Sequence, residues 1–381
     1  MSNNNQYCPT NILVTGGAGF IGSNFVHYWL KEYPTNRVVV LDALTYAGNV
    51  ENLKPAEGNP NFRFVHADIL DYDNTVKLLR EEKIDTIVHF AAESHVDRSI
   101  TSPDAFIETN VKGTHELLKA AKTVWLDENP SMSHLFQHIS TDEVYGTLKP
   151  NDPPFREDTP YAPNSPYAAS KASSDFFVRS YQETYGLNTN ISNCSNNYGP
   201  YQFPEKLIPL VISNILESKA LPIYGDGQQI RDWLYVDDHA RGIDLIIRKG
   251  KRGEPYNIGG INEWANIDIV NLVCDTVDKR LSESEKLKKQ YPNAPVCLGK
   301  KARELITHVK DRLGHDRRYA IDPTKSNSEL GYKPDESFVT GIDKTIKWYL
   351  DNEDWWRHIM SGEYQDWINQ QYVYFLDSLF Q

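Results

Sequence analysis

The sequence predicts an α/β fold in which a doubly wound parallel sheet is joined to a smaller C-terminal lobe. The first observation is that short runs rich in Val and Ile alternate with helix-like segments, the order that builds βαβ units. The second is a glycine-rich turn directly after the first run. The third is the length, because 381 residues exceed what one hydrophobic core usually organises.

Five apolar runs in the first part of the chain predict the strands of the sheet. Strands that are buried on both faces are continuously apolar, as the run 38–41 is. Two later runs, at 188–194 and 255–258, extend the same sheet. The five predicted strands cover residues 11–15, 37–42, 62–67, 86–92 and 135–140.

In the second half of the chain, the regular alternation of strand-like and helix-like segments ends. From about Tyr198 several prolines interrupt the pattern, and helix-like stretches follow at 267–281 and 339–350. Four of the eight tryptophans lie near the C-terminus, which is typical of a packed helical tail. We therefore predict a first domain over residues 8–197, to which 232–262 returns, and a second lobe made of 198–231 and 263–381.

Composition excludes several classes of protein. Asp and Glu number 52 against 40 Lys and Arg, which gives a formal charge of −12 and disfavours nonspecific binding to nucleic acid or an anionic membrane. The four cysteines lie far apart and the histidines form no ligand group, so neither disulfides nor a metal site is predicted. The uncharged stretch 11–30 is too polar for a membrane span, and residues 1–6 lack the basic region of a signal peptide. These features predict a cytoplasmic protein.

A glycine-rich turn predicts the cofactor site. Residues 17–22 read Gly-Ala-Gly-Phe-Ile-Gly, follow Gly16, and open an amphipathic helix after the first strand. This is the dinucleotide fingerprint of a Rossmann-type sheet, where glycines let the backbone approach a pyrophosphate at a helix N-terminus. Asp42, 20 residues beyond Gly22, can accept hydrogen bonds from a ribose and would repel a 2′-phosphate, which favours NAD over NADP. The alternative is that the glycines serve only a tight turn.

Two further strand ends are candidates for the same ligand. Asp68 and Ile69 follow the third run and are placed to meet an adenine, although Asp68 is equally suited to cap the next helix. Residues 91–94 end the fourth run. Ligands of open α/β sheets bind beyond the carboxyl ends of the strands.

Tyr167 and Lys171 are the first candidates for catalysis. Four residues apart on a predicted helix, they share one face. A neighbouring ammonium and a nicotinamide cation would lower the pKa of the phenol towards working pH, so that it can take a hydroxyl proton during hydride transfer. Alone, Tyr-x-x-x-Lys is a frequent accident; behind a dinucleotide fingerprint it indicates a dehydrogenase.

A pair of carboxylates follows the fifth predicted strand. The sequence there reads Ser140-Thr141-Asp142-Glu143. Two adjacent carboxylates facing a cofactor suggest a general acid and a general base, whose mutual repulsion keeps one of them protonated. A plain alcohol oxidation does not need them. The alternative is a solvated loop or a helix cap.

Together these motifs resemble the extended short-chain dehydrogenase/reductases that act on nucleotide sugars. The closest resemblance is to the branch that dehydrates dTDP-glucose. It covers residues 11 to 372, and the Thr-Asp-Glu triplet is its most specific element; related 4-epimerases lack that acid pair. The motifs that carry it read Asp-Ala-Leu-Thr-Tyr-Ala-Gly-Asn at 42–49, Ala-Ala-Glu-Ser-His-Val-Asp-Arg-Ser at 91–99, Ser-Thr-Asp-Glu-Val-Tyr-Gly at 140–146 and Asn-Asn-Tyr-Gly-Pro at 196–200.

The resemblance implies a three-stage reaction with NAD. Tyr167, assisted by Thr141 and Lys171, deprotonates the glucose 4-hydroxyl while hydride leaves C4. Glu143 then removes the C5 proton and Asp142 protonates the departing C6 hydroxyl. Water is lost, hydride then returns to C6 and a proton to C5, and this gives dTDP-4-dehydro-6-deoxy-glucose. The alternatives are a dehydratase or epimerase for a UDP, GDP or CDP sugar, and a catalytically silent NAD-binding scaffold.

The resemblance also implies binding residues and a homodimer joined through the segments after Pro103 and around 167–185. The basic island 300–318 independently suits a diphosphate, although it could equally be a surface helix. Leu313 and Ala43 depart from the family pattern without removing a functional group. The implied cofactor residues are Gly16, Gly19, Phe20, Ile21, Gly22, Asp42, Ala43, Leu44, Thr45, Asp68, Ile69, Phe90, Ala91, Ala92, Glu93, Ser94, Thr109, Tyr167, Lys171 and Asn197. The implied substrate residues are Ser94, Thr141, Asn196, Lys206, Leu207, Pro222, Ile223, Tyr224, Arg231, Asn266, Asp311, Arg312, His315 and Tyr372.

Overall fold

The computed structural model describes residues 7–311 and 315–362. Strands and helices alternate through the first half of the chain, as predicted. The strands are β1 (Asn11–Thr15), β2 (Arg37–Asp42), β3 (Phe62–His66), β4 (Thr86–His89), β5 (Leu135–Thr141), β6 (Thr189–Cys194), β7 (Asn196–Tyr198), β8 (Leu221–Tyr224), β9 (Ile230–Tyr235), β10 (Pro255–Ile258), β11 (Glu263–Ala265), β12 (Ile306–Val309) and β13 (Arg318–Tyr319).

The helices are longest where they cover the sheet or fill the second half of the chain. A π-helical turn, Ile107–Gly113, makes α4 and α5 continuous. The helices are α1 (Phe20–Glu32), α2 (Tyr72–Glu81), α3 (Val96–Thr101), α4 (Asp104–Phe106), α5 (Thr114–Lys122), α6 (Pro166–Tyr185), α7 (Leu207–Leu216), α8 (Val236–Lys249), α9 (Asn266–Glu283), α10 (Glu285–Gln290), α11 (Thr324–Leu330), α12 (Phe338–Asp351) and α13 (Glu353–Ser361).

A parallel sheet of seven strands forms the centre of the described chain. Its order is β10-β6-β5-β4-β1-β2-β3, and every neighbouring pair is parallel. The strand order reverses between β1 and β4, and a doubly wound sheet opens a crevice at that point. The predicted Rossmann-type fold is confirmed.

Hydrophobic packing on both faces explains why the strands are continuously apolar. Successive side chains of a strand point to opposite faces. Ile12 and Val14 accordingly pack against the side of α1 and α8, whereas Leu13 packs against the side of α2 and α5. Each face therefore has its own layer of helices.

The second half builds a separate core from α7, α9, α12 and α13. Trp355 and Trp356 are buried in it and Trp348 packs against it, whereas Trp367 lies outside the described residues. Small sheets border this core: β9 pairs with β7, β11 and β13, and β8 pairs with β12.

Residues 232–262 divide between the two parts. β10 joins the central sheet beside β6, and α8 packs on the same layer as α1. β9, by contrast, belongs to the smaller sheet. Among the helices of the described chain, none has the length and apolar character that a bilayer crossing requires.

Candidate active site

A cavity of about 560 Å³ lies at the carboxyl ends of β1, β2, β4, β5 and β6. It lies between the sheet and the second half of the chain. Of the predicted residues, Leu44 and Asp311 do not line it, and Arg312 and Tyr372 lie outside the described residues. The predicted residues that line it are Gly16, Gly19, Phe20, Ile21, Gly22, Asp42, Ala43, Thr45, Asp68, Ile69, Phe90, Ala91, Ala92, Glu93, Ser94, Thr109, Thr141, Asp142, Glu143, Tyr167, Lys171, Asn196, Asn197, Lys206, Leu207, Pro222, Ile223, Tyr224, Arg231, Asn266 and His315.

The glycine turn between β1 and α1 forms one end of the cavity. Gly16 has φ +69°, and a Cβ there would lie 2.6 Å from the backbone nitrogen of Ala91. A Cβ on Gly22 would collide with the carbonyl oxygen of Gly16. No side chain caps α1 at Gly19, so the first N–H groups of the helix are available to an anion.

Asp42 ends β2 and is buried at the cavity wall. Its Oδ2 accepts the N–H of Ala18 at 2.9 Å and its Oδ1 accepts the N–H of Leu44 at 2.8 Å. Burial raises the pKa of the carboxyl. Each carboxylate oxygen can accept more than one hydrogen bond, so both keep capacity for ribose hydroxyls.

Asp68 lines the cavity and does not cap the following helix. Its Oδ1 accepts the N–H of Leu70 at 2.9 Å in a local turn. The cap of α2 is Asp71, whose side chain accepts the N–H of Asn74. The cap alternative for Asp68 is therefore wrong.

Tyr167 and Lys171 lie together on α6. Ser165 caps this helix and Pro166 occupies its first turn, which is a strong start signal. Lys171 donates from Nζ to the carbonyl oxygen of Ile139 at 2.8 Å, and burial lowers the pKa of its ammonium to about 8. Burial, followed by the charge of Glu143, raises the pKa of Tyr167. In the protein without cofactor, the pKa of Tyr167 is therefore raised, whereas the sequence predicted that it would be lowered. The prediction considered the neighbouring ammonium and the nicotinamide but not the burial of the phenol.

Asp142 and Glu143 begin the 3₁₀ turn that follows β5. The hydroxyl of Thr141 accepts the N–H of Glu143 and donates to Asp142 Oδ1, each at 3.3 Å. Asp142 is 2% exposed, and its Oδ2 has no hydrogen-bond partner within the described chain. Burial and the charges of Glu143 and Asp232 raise the pKa of Asp142 well above its ordinary value. Asp142 is thus buried with its protonated form favoured, which a general acid requires, and the solvated-loop alternative is wrong for this residue.

The second half of the chain supplies cations to the other end of the cavity. Arg231 is buried on β9, donates to the carbonyls of Ile230 and Asp316, and lies 4.2 Å over the ring of Tyr319. Lys206 donates from Nζ to the carbonyl of Ser94 at 3.5 Å.

Three described arginines of the basic island 300–318 are directed elsewhere. Arg303, Arg317 and Arg318 form ion pairs with Asp275, Asp226 and Glu263, respectively. Within the described part of the island, His315 alone lines the cavity. Its Nδ1 lies 2.6 Å from Asp311 Oδ1.

Sequence reasoning missed residues that meet across the cavity rim. His95 lies 3.8 Å from Glu205, and the ring of Tyr46 lies 4.9 Å from that of Phe203. Tyr46 and His95 follow strands at the carboxyl edge, a signal that could have found them. Phe203 and Glu205 lie in a loop without such a signal, and Tyr319 lies in the two-residue strand β13, which has none either.

A parallel sheet with a glycine turn and a Tyr-x-x-x-Lys helix at its carboxyl edge defines an extended short-chain dehydrogenase/reductase. Residues 13–345 match the family described as GDP-mannose 4,6 dehydratase. The dTDP-glucose 4,6-dehydratase 1 of Escherichia coli K12 is 53% identical over 95% of this chain and 98% of its own length. The chain belongs to the family of dTDP-glucose 4,6-dehydratases, which confirms the predicted resemblance.

Solved structures agree with this membership. A dTDP-glucose 4,6-dehydratase from Streptomyces venezuelae, solved with NAD bound, has a TM-score of 0.81 and 45% identity over 92% of this chain and 100% of its own. The enzyme of Bacillus anthracis, in complex with NAD, has a TM-score of 0.78 and 44% identity over 92% and 99% of the two chains.

Proposed function

We propose that the protein is an NAD-dependent dTDP-glucose 4,6-dehydratase that yields dTDP-4-dehydro-6-deoxy-glucose. The observation that carries the proposal is the acid pair Asp142–Glu143 in the same cavity as Tyr167 and Lys171. Oxidation alone needs only the Tyr–Lys pair, whereas elimination also needs an acid for the leaving hydroxyl and a base for the carbon-bound proton. Relatives of this name at 53% identity support the choice of base and sugar.

The glycine turn fits NAD, because its backbone forms a cradle that a Cβ at Gly16 or Gly22 would fill. The N-terminus of α1 would face the pyrophosphate, and Asp42 would accept the ribose hydroxyls. When bound, NAD takes a hydride from the sugar and returns it within one turnover. The residues proposed to hold it are the cavity-lining members of the implied cofactor set, with Leu44 behind them positioning Asp42.

In the first step the chain moves one proton. Tyr167 Oη takes it from the sugar 4-hydroxyl, and the hydroxyl of Thr141 stabilises the phenolate by a hydrogen bond. Lys171, fixed against the carbonyl of Ile139, supplies positive charge beside the phenol. Thr141 and Lys171 are buried and Tyr167 is partly buried at the cavity wall, which limits the access of water to the proton transfer.

In the second step the acid pair removes water. A carbonyl at C4 acidifies the C5 proton, which Glu143 takes. Asp142, whose protonated form is favoured by burial, gives its proton to the departing 6-hydroxyl. The bond from C6 to oxygen breaks as the C5–C6 double bond forms, and water leaves.

The nucleotide lies at the far end of the cavity in this proposal. Arg231 and Lys206 would neutralise the diphosphate, since cationic donors bind phosphate oxygens strongly. Asp311 would act through His315, which it contacts. Arg312 and Tyr372 remain predictions. The other residues proposed to contact the substrate are Ser94, Thr141, Asn196, Leu207, Pro222, Ile223, Tyr224, Asn266 and His315.

We infer two domains and a homodimer. Separate hydrophobic cores support a division into residues 8–197 with the returning α8 and β10, and the remainder.

Large apolar side chains on the outer faces of the helices around α4 and α6 support the dimer, because such a patch marks an interface. They are Ile107, Phe176, Phe177 and Tyr185. Light scattering of Phe176→Asp, with Val339→Asp on α12 as an exposed control, would test it; a dimeric Phe176→Asp variant would contradict this face.

A cytoplasmic location is part of the proposal. Cys194, Cys274 and Cys297 are free thiols, and the first two are buried. Free buried thiols suit a reducing compartment.

The decisive experiment is incubation of the NAD-loaded protein with dTDP-glucose and, in parallel, UDP-glucose in D2O. Mass spectrometry should show that dTDP-glucose loses one water and that its product gains one deuterium at C5. Tyr167→Phe protein is the inactive control. Equal conversion of UDP-glucose would contradict the base preference. Unchanged hexose in both arms would contradict the dehydratase.

A further inference from the structure

Another buried carboxylate, Asp175, lies on the catalytic helix itself. Asp175 follows Lys171 by four residues on α6, so the two side chains share one face of the helix. It is 2% exposed and does not line the cavity. No role in the proposed reaction has used it.

Asp175 is held by three groups from two segments, β5 and the loop before α6. Its Oδ2 accepts the hydroxyls of Ser140 at 2.7 Å and Tyr161 at 2.9 Å. Its Oδ1 lies 3.2 Å from His138 Nε2. Hydroxyl donors stabilise the ionised carboxylate, which offsets part of the cost of burying it.

Lys171 needs such a charge. Its ammonium is buried, and within the described chain it forms no ion pair; Nζ donates to the Ile139 carbonyl. A buried ammonium without an opposite charge nearby loses its proton at a lower pH, because burial disfavours its charged form. Two nearby groups would favour the charged form of Lys171 if they were ionised, and Asp175 has the larger effect. The other is Cys194, whose pKa burial raises to about 12, so it stays a neutral thiol.

The other groups near this pair are uncharged. Burial lowers the pKa of His89 and of His138 well below the ordinary value, so both rings are neutral. Burial raises the pKa of Tyr161, Tyr145 and Tyr167, so these phenols carry no charge at neutral pH. Asp175 is left as the negative partner of Lys171.

We propose that Asp175 is a positioning residue: its buried carboxylate, four residues along the same helix face, keeps the Lys171 ammonium charged. The catalytic consequence rests on the proposed function. The pKa of Asp175 is raised to about 6 by burial, and that of Lys171 is lowered to about 8 by burial. Both charges therefore coexist between these values, and the ammonium is lost as the pH rises through the upper one.

The test compares Asp175→Asn with Glu183→Gln, which removes an exposed carboxylate from the same helix. In NAD-loaded full-length protein, the alkaline limb of kcat should move down by at least about one pH unit in Asp175→Asn, a loss of about ten-fold near that limb. KM for dTDP-glucose should stay unchanged, and Glu183→Gln should behave as wild type. Loss of thermal stability with an unmoved alkaline limb would overturn the proposal.

Two further measurements keep the test decisive. Titration of Lys171 by NMR of ¹³Cε-labelled lysine, assigned with Lys171→Arg, needs no turnover and should show the same downward shift. An identical titration in wild type and Asp175→Asn would overturn the proposal even if no nucleotide sugar is converted.

If Asp175→Asn does not fold, Tyr161→Phe is the second variant, because it keeps the carboxylate but removes one hydrogen-bond donor from it. Loss of that donor should raise the pKa of Asp175 and move the acid limb of kcat to higher pH. An unmoved acid limb would contradict the proposal.

Discussion

Replacing Asp142 with Asn should separate the oxidation from the loss of water. The substitution preserves the size of a side chain that is 2% exposed and removes the proton that the leaving hydroxyl needs. Because the acid in the native site is already favoured in its neutral form, the amide introduces no new charge change in the core. We therefore expect a folded protein in which the Tyr167–Lys171 pair is intact.

The expected loss follows from the role of the proton. General acid catalysis contributes about 10²- to 10⁴-fold, so kcat should fall by that factor, or about 3 to 5 kcal/mol of activation free energy. The sign of the pH dependence is also fixed. An acid acts in its protonated form, and burial together with the charge of Glu143 raises the pKa of Asp142, so the form that the elimination needs persists to a higher pH than for an ordinary carboxyl.

The assay is rapid mixing of NAD-loaded protein with dTDP-glucose while NADH absorbance is followed. Asp142→Asn should form NADH at nearly the wild-type rate and hold it, and release of dehydrated product should be slow. Asp158→Asn, at a carboxylate whose side chain is 81% exposed, is the matched control and should turn over normally. Equal slowing of NADH formation and product release in Asp142→Asn would refute the assignment of Asp142 to the elimination.

Three other substitutions test other parts of the molecule. Gly22→Ala should abolish retention of NAD through gel filtration, because its Cβ collides with the Gly16 carbonyl; a protein that keeps its cofactor would contradict the cradle. Tyr167→Phe should lower the rate of NADH formation by at least about 10²-fold, and a near-normal rate would remove this phenol from the mechanism. Ile346→Ala, at a fully buried position of the second core, should lower the free energy of unfolding by about 2 to 5 kcal/mol in denaturant titration, and a loss below 1 kcal/mol would contradict tight packing there.

Short sequence motifs predicted most of the residues at the cofactor end of the cavity. The glycine turn, Asp42 and the Tyr–Lys helix lie in segments whose conformation is set by nearby residues, such as the Ser165 cap and Pro166 at the start of α6. Boundaries were less accurate where the chain turns into the cavity: the fourth strand was predicted to Ala92 and ends at His89. Asp68 shows the same limit, since its identity suits a cap that Asp71 in fact provides.

The nucleotide end depended on contacts between distant parts of the chain. The basic island was predicted from its charge, but Arg317 and Arg318 are paired with Asp226 and Glu263, which are 91 and 55 residues away. Arg231, by contrast, gains its place from β9 and its neighbour Tyr319 on β13. Charge counts along a sequence do not show which partner a guanidinium reaches.

By itself the sequence determined the parallel sheet, the NAD turn and the catalytic residue types, because strand periodicity, glycine geometry and helix spacing act over a few residues. Only the tertiary structure decided the protonation of the site. Asp142, Tyr167 and Lys171 have ordinary pKa values in an unfolded chain, and burial moves each of them. Burial arises when elements far apart in sequence exclude water together, and no local pattern encodes it.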